Sequence, residues 1–205
     1  MSLILGFLWS GHVMAIEEPK YEILVSDGPY EVRKYTPILI AETIAEGDMS
    51  EASNKGFRLI ADFIFGNNQA TGSSGNEKIA MTAPVSVEAQ SDDLNIQIAK
   101  QWRISFVMPS QYTLATIPKP KNSAVNLREI AAKYFVVYRY SGFNSDSRVQ
   151  SKTEETIKWA IQKDLKIFGK PQLSRYDPPW TLPMFRRNEI MVEIAEPQIF
   201  LQQNK

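Results

Sequence analysis

The strongest constraint in this chain is an order of elements that occurs twice. Runs alternating apolar and polar residues come first, then a stretch with helical spacing, then a long loop, then another strand-like run. In the first half the strand signals cover residues 21–25, 30–35 and 37–44, with the turn Ser26-Asp27-Gly28-Pro29 between the first two. Closely spaced strands of this kind imply an antiparallel meander. The period then changes: Ala52, Phe57, Ile60, Ala61 and Ile64 fall on one helical face. Ser50 is a reasonable N-cap for that helix and Gly66 a reasonable C′ residue. A polar loop over 67–76 leads to strand signals at 79–87 and 102–108.

The second half repeats the order. Residues 134–140 read as a strand and 142–146 as a turn. A helix over about 147–168 follows, with Val149, Thr153, Ile157, Ala160, Ile161, Leu165 and Phe168 on one stripe. Gly169 and Pro171 close it, and a Pro-rich loop over 176–185 delivers the chain to a strand at 189–194. Gly66 and Gly169 stand 103 positions apart, and Tyr30 and Tyr134 stand 104 apart. The match is one of element order, with halves at about 20–110 and 124–196 and an irregular crossing at Pro118 and Pro120. Many strands with two helices predict an α+β fold, a curved or barrel-like antiparallel sheet carrying helices on its outside. The groove between helix and sheet is then a natural place for an apolar ligand. Gly56, inside the first helix, either permits close packing on the sheet or leaves room for that ligand.

Composition removes much chemistry. The 205 residues include no cysteine and one histidine, His12. Thiolate nucleophiles, thiolate metal sites and disulfides are excluded, and at most one imidazole is on offer. Lys+Arg 23 balances Asp+Glu 23, so no basic surface advertises nucleic acid or an anionic membrane. No partner of either kind is expected. The first charged residue is Glu17, preceded by the apolar run Leu3-Ile4-Leu5-Gly6-Phe7-Leu8-Trp9 and a small, polar stretch ending at Ala15. This fits a signal peptide over residues 1–15 and a periplasmic or secreted protein, and it is too short for a stable membrane span. A start at Met14 in a cytoplasmic protein is the alternative. Under either reading the mature domain, 16–205, lacks His12.

Four clusters stand out: Tyr30-Glu31-Val32-Arg33-Lys34-Tyr35; Asn54-x-Gly56-Phe57-x-Leu59-Ile60; Lys78-Ile79-Ala80-Met81-Thr82-Ala83-Pro84-Val85 with Phe106-Val107-Met108-Pro109; and Tyr176-Asp177-Pro178-Pro179-Trp180 with Arg186-Arg187-Asn188-Glu189. In this order and spacing the chain resembles the SOUL family of haem-binding proteins over about residues 21–194. The resemblance implies two βαββ-like halves forming a distorted antiparallel β-barrel with two long external helices. It also implies non-covalent binding of haem or a related tetrapyrrole, with no established catalytic activity.

Carried over residue by residue, the resemblance puts Lys34 where some members have an iron-ligating histidine. Other members use an apolar groove along the first helix flanked by basic residues; the matching positions here are Asn54, Asp62 and Thr181. The apolar wall implied is Phe57, Ile60, Ala61 and Ile64 from the helix with Trp180 and Met184 from the loop. Helical spacing at Phe57, Ile60 and Ile64 is equally that of a core stripe. Arg186-Arg187-Asn188-Glu189 opens a strand and could pair with anionic ligand groups; the reading favoured is a structural ion-pair and turn network. The function expected is that of a carrier or scavenger of haem or another flat hydrophobic molecule, held without an axial histidine. The alternative is an enzyme or an effector-binding domain that meets a small hydrophobic or cationic ligand through a buried carboxylate or Tyr.

Overall fold

The computed structural model describes residues 16–91 and 95–198. The expected signal segment lies outside them. The elements in chain order are β1 (Tyr21–Asp27), β2 (Tyr30–Tyr35), β3 (Ile38–Glu46), α1 (Met49–Ile64), β4 (Asn68–Gln69), β5 (Val85–Ala89), β6 (Gln101–Val107), β7 (Lys119–Pro120), β8 (Asn126–Ile130), β9 (Lys133–Tyr140), α2 (Asp146–Gln162), β10 (Gln172–Arg175) and β11 (Asn188–Ile194). Nine strands form one antiparallel sheet in the order β1-β2-β9-β11-β10-β5-β6-β3-β8, and β4 pairs with β7 alone. The sheet curls into a half-barrel with β1 and β8 at its edges, and both helices lie on its convex side. The α+β class read from the sequence is the class observed.

The strand order carries the repeat. It is symmetric about the β10–β5 contact, so that β2, β3, α1, β5 and β6 correspond to β8, β9, α2, β10 and β11. The first strand of each set has crossed to the other set: β2 pairs with β9, and β8 pairs with β3. Helix α1 packs on β3 and β6 while α2 packs on β9 and β11.

Several boundaries differ from expectation. The N-cap of α1 is Asp48, whose carboxylate accepts from the Glu51 N–H at 2.8 Å, so Ser50 falls inside the helix. Asp is as good a cap as Ser and adds a charge favourable to the helix dipole. Gly66 follows the C-cap with φ at 123°, as a C′ glycine should. Helix α2 ends at Gln162 rather than 168, because Asp164 takes the left-handed conformation at φ 57° and stops it. Gly169 therefore terminates no helix; Ile167 instead bridges to Ile194. The single strand expected over 79–87 begins its ladder only at Val85, since Pro84 has no N–H to donate.

Gly56 is buried in α1 against β6, and a Cβ built on it would come within 2.6 Å of the Ile104 side chain. The missing side chain serves close packing. Gly56→Ala gains about 1 kcal/mol of helix propensity but puts a Cβ within 2.6–2.8 Å of three Ile104 atoms, an overpacking that should cost about 2–3 kcal/mol. We expect a lowered urea midpoint, restored in part by adding Ile104→Val. An unchanged midpoint for Gly56→Ala would contradict the packing account.

Candidate ligand-binding site

Period-2 alternation gives the sheet two chemically different faces. On the concave face a cavity of about 570 Å³ is lined by, among others, Tyr35, Phe135, Tyr176, Met191, Arg128 and Lys133. Ion pairs line it and back it. On one side Arg128 donates to Glu42 at 2.7 and 2.9 Å, and Arg103 reaches Glu88 at 2.8 Å; on the other Lys133 donates to Glu193 at 2.6 Å. Behind Tyr35 and Tyr176 the fully buried Glu189 of β11 meets Arg33 of β2 at 2.9 and 3.1 Å, Arg187 at 3.0 Å and the Tyr176 hydroxyl at 2.7 Å. Arg33 also donates to Glu31 and Arg187 to Glu18. The strand-end network read from Arg186 to Glu189 is present, with Arg33 as its second anchor.

Burial alone would raise the Glu189 carboxyl, but the Arg33 and Arg187 guanidiniums and the Tyr176 hydroxyl outweigh it and hold the group below the usual carboxylate range. Burial pushes the Tyr35 phenol up to about 12 and Tyr176 further in the same direction. Glu189 is thus an ionised, fully hydrogen-bonded carboxylate.

The convex face is where the candidate residues were placed. Ile60, Ala61 and Ile64 point at the sheet and are buried, Ile60 and Ile64 within the main core cluster. Asn54 is exposed on α1, and Asp62 is exposed and accepts from Asn67. Phe57 is 37% exposed, its ring 5.3 Å from that of Phe106. Between β10 and β11 a loop stitched by its own hydrogen bonds, Thr181 N–H to the Pro178 carbonyl and Arg186 to the Thr181 carbonyl, turns its apolar side chains outward. Trp180 is 83% and Met184 67% exposed, with Leu182 and Phe185 alike; Thr181 is half-buried. The loop is tied to the β9–α2 turn by the Gly142 N–H on the Pro183 carbonyl, and Arg186 lies over the Phe143 ring. Such a concentration of exposed large apolar groups marks an interaction site.

Lys34 does not fit an iron ligand. It is exposed on β2 with its ammonium 5.5 Å from the Tyr134 ring centroid, and the hydrogen bond to Tyr134 raises its pKa, so the lone pair stays protonated. Among the described residues no group of three or more His, Asp or Glu is placed to hold a metal ion.

A profile of the family described as SOUL heme-binding protein matches residues 16–193. The chain belongs to the SOUL family. A search of curated protein sequences found no match. Among solved structures, this SOUL chain resembles the EcmrR C-terminal domain, with a TM-score of 0.61 at 10% identity over 86% of this chain and 99% of that one. It also resembles an uncharacterized conserved protein from Listeria innocua (TM-score 0.56, 14% identity, covering 81% and 92%) and a hydrolase from the same organism (0.53, 13%, covering 84% and 94%). At these identities the likeness is one of fold.

Sequence reasoning missed Arg175, because β10 was not recognised and the phase of Leu173-x-Arg175 could not be read. It also missed Arg33 as the partner of Glu189, a contact between residues 156 positions apart.

Because Glu189 titrates below its ordinary value, its stabilisation is complete above about pH 4.5 and is lost as the pH falls through the lower folded-state value. Glu189→Gln takes the shared charge away from the buried Arg33 and the half-buried Arg187, which keep Glu31 and Glu18, and should cost about 1–3 kcal/mol in urea unfolding at pH 7. The variant should also lose the part of the acid limb that this group supplies. A loss below 0.5 kcal/mol, on the order of a neutral surface change, would show the pair to be dispensable.

Proposed function

We propose that this SOUL protein binds haem, or another flat hydrophobic tetrapyrrole, on its convex side where the flank of α1 faces the β10–β11 loop, and that it acts as a carrier or scavenger. The contacts come from Phe57 and Asn54 on the helix and Trp180, Thr181 and Met184 on the loop, with Ile60, Ala61 and Ile64 supporting Phe57 from beneath. The observation that carries this reading is the rigidly stitched loop with Trp180, Leu182, Met184 and Phe185 in solvent, in a chain of a haem-binding family. Apolar burial alone supplies enough energy: about 300 Å² of ligand surface at roughly 25 cal/mol per Å² amounts to several kcal/mol before association costs. Binding in this form uses no imidazole, and Lys34 supplies no substitute. Export to the periplasm or beyond, read from residues 1–15, is part of the same proposal and suits a scavenger. The alternative reading through a buried carboxylate draws less support, because Glu189 already has its acceptor positions occupied by Arg33, Arg187 and Tyr176.

Titration of haemin into the mature protein should give a saturable Soret shift with micromolar affinity and quench tryptophan fluorescence. Trp180→Ala with Met184→Ala should weaken binding about thirtyfold, as two lost apolar contacts of about 1 kcal/mol each imply. Absence of any saturable change would remove haem as the ligand. Undiminished affinity in the double variant would move the site elsewhere.

A further inference from the structure

The register of the sheet places one transverse row of residues across its convex side: Tyr140, Asn188, Arg175, Val85 and Phe106, contributed in turn by β9, β11, β10, β5 and β6. The ends of the row are closed. Phe106 is buried beneath Phe57 of α1. Tyr140 and Asn188 are buried and joined through Asn144, which accepts from the Tyr140 hydroxyl at 2.7 Å and donates to the Asn188 side chain at 2.7 Å. Asn188 spends its own amide N–H on the Gly142 carbonyl.

The middle of the row is open. Val85 and Arg175, adjacent across β5 and β10, are only half-buried. This strip lies between β6, which carries α1, and β11, which carries α2, and it has a cation in its floor. Among the described residues the Arg175 guanidinium has no hydrogen-bond or ion-pair partner. Its surroundings lower its pKa through burial without removing its charge, and the neighbouring Tyr140 phenol, pushed up by burial, stays neutral and neutralises nothing. Arg148, over the Tyr140 ring at 5.7 Å, adds a second positive group on the same side. A partly buried guanidinium without a partner is costly to the fold and favours an incoming anion.

Phe106 lies two strands from Arg175, about 10 Å at the usual inter-strand spacing, and Phe57 sits over it. One flat molecule can therefore touch Phe57 and reach the guanidinium at once. The loop bearing Trp180 and Met184 leaves β10 immediately after Arg175. We infer that Arg175 is an anchor for an anionic group on the ligand, so that the site selects flat apolar molecules carrying a carboxylate over their neutral counterparts. This deepens the function proposed above and rests on its placement of the site beside α1, though not on the ligand being haem.

Two probe pairs test it. Pyrenebutyrate and pyrenebutanol share a flat apolar body and differ in charge, as do protoporphyrin IX and its dimethyl ester. Wild-type protein should bind each acid about tenfold or more tighter than its neutral partner, the range of a charge-assisted hydrogen bond. Arg175→Gln should bring the affinity for the acid down to that for the alcohol, and Arg175→Lys should keep part of the difference. The Arg175 Nε–H resonance of the unmutated protein should shift with the acid and not with the alcohol, which serves even if the glutamine variant does not fold. No acid preference in the wild type, no binding of either pyrene probe, or a preference that survives Arg175→Gln would each overturn the anchor. Discrimination within the pyrene pair together with no porphyrin or haemin binding would retain Arg175 and reject the tetrapyrrole. Porphyrin binding without discrimination would do the reverse.

Discussion

The buried pair of Arg33 and Glu189 is the interaction around which the rest of this structure is arranged. It joins β2, which belongs by order to the first half, to β11 of the second, and Tyr176 at the end of β10 completes it. Strand β2 has left its own half to pair with β9, so its place in the sheet depends on contacts far apart in sequence. A fork-on-carboxylate contact is directional in a way that apolar packing is not. Sliding β2 by one residue would turn Arg33 onto the convex face and Val32 onto the concave one, stranding the charge among apolar groups. The pair thus specifies register at a strand crossing where alternation alone would tolerate slippage.

That same pair decides what the concave cavity can do. The Glu189 network behind Tyr176 is ionised and saturated, and Glu42, Glu88, Arg103 and Arg128 pair with one another, with the Arg103 Nε left without a hydrogen bond. A small cationic ligand would have to compete with guanidiniums already in place. The convex side differs: the apolar loop and one unpartnered guanidinium have no internal partners to displace. The exposed apolar loop and the unpartnered Arg175 are what direct the functional reading to the convex side.

Much of this was legible in the sequence and the rest was hidden for identifiable reasons. The helix at Met49–Ile64 and the long strands β2, β3, β6, β9 and β11 follow from local periodicity, and the repeated order foretold the symmetry of the sheet. Strand β10 escaped because it is four residues long and owes its form to pairing with β5 and β11 on both sides. The overextended second helix came from trusting Gly169 as a terminator when Asp164 can adopt the left-handed conformation itself. In the site, helical spacing showed which residues share a face of α1 but not which of them face the sheet. Ile60 and Ile64 proved to be core, and Phe57, one turn away, remained partly in solvent. Trp180 and Met184 were accessible for the reason that singled them out, a Pro-rich loop with no strand partner.

The symmetry of the sheet explains why its central strip is left to the loops. Two helices cover β3 with β6 and β9 with β11, and the central strands β5 and β10 are roofed by neither. Loops must close the two ends of that central strip, which are related by the symmetry about the Val87–Leu173 pair. At one end the position is Ala89, and the β5–β6 loop folds Ile96 and Ala99 into the core beside Trp102, held by the Ile96 N–H on Gln150 of α2. At the other end the matching position is Arg175, and the β10–β11 loop keeps Trp180 and Met184 outside. A small residue under a closed loop fills one end; a cation under an open loop leaves the other unfilled. The two ends of a symmetric sheet thus differ by a charge in place of a methyl and an open loop in place of a closed one, and the anchor proposed for the ligand sits at the end where the symmetry is broken.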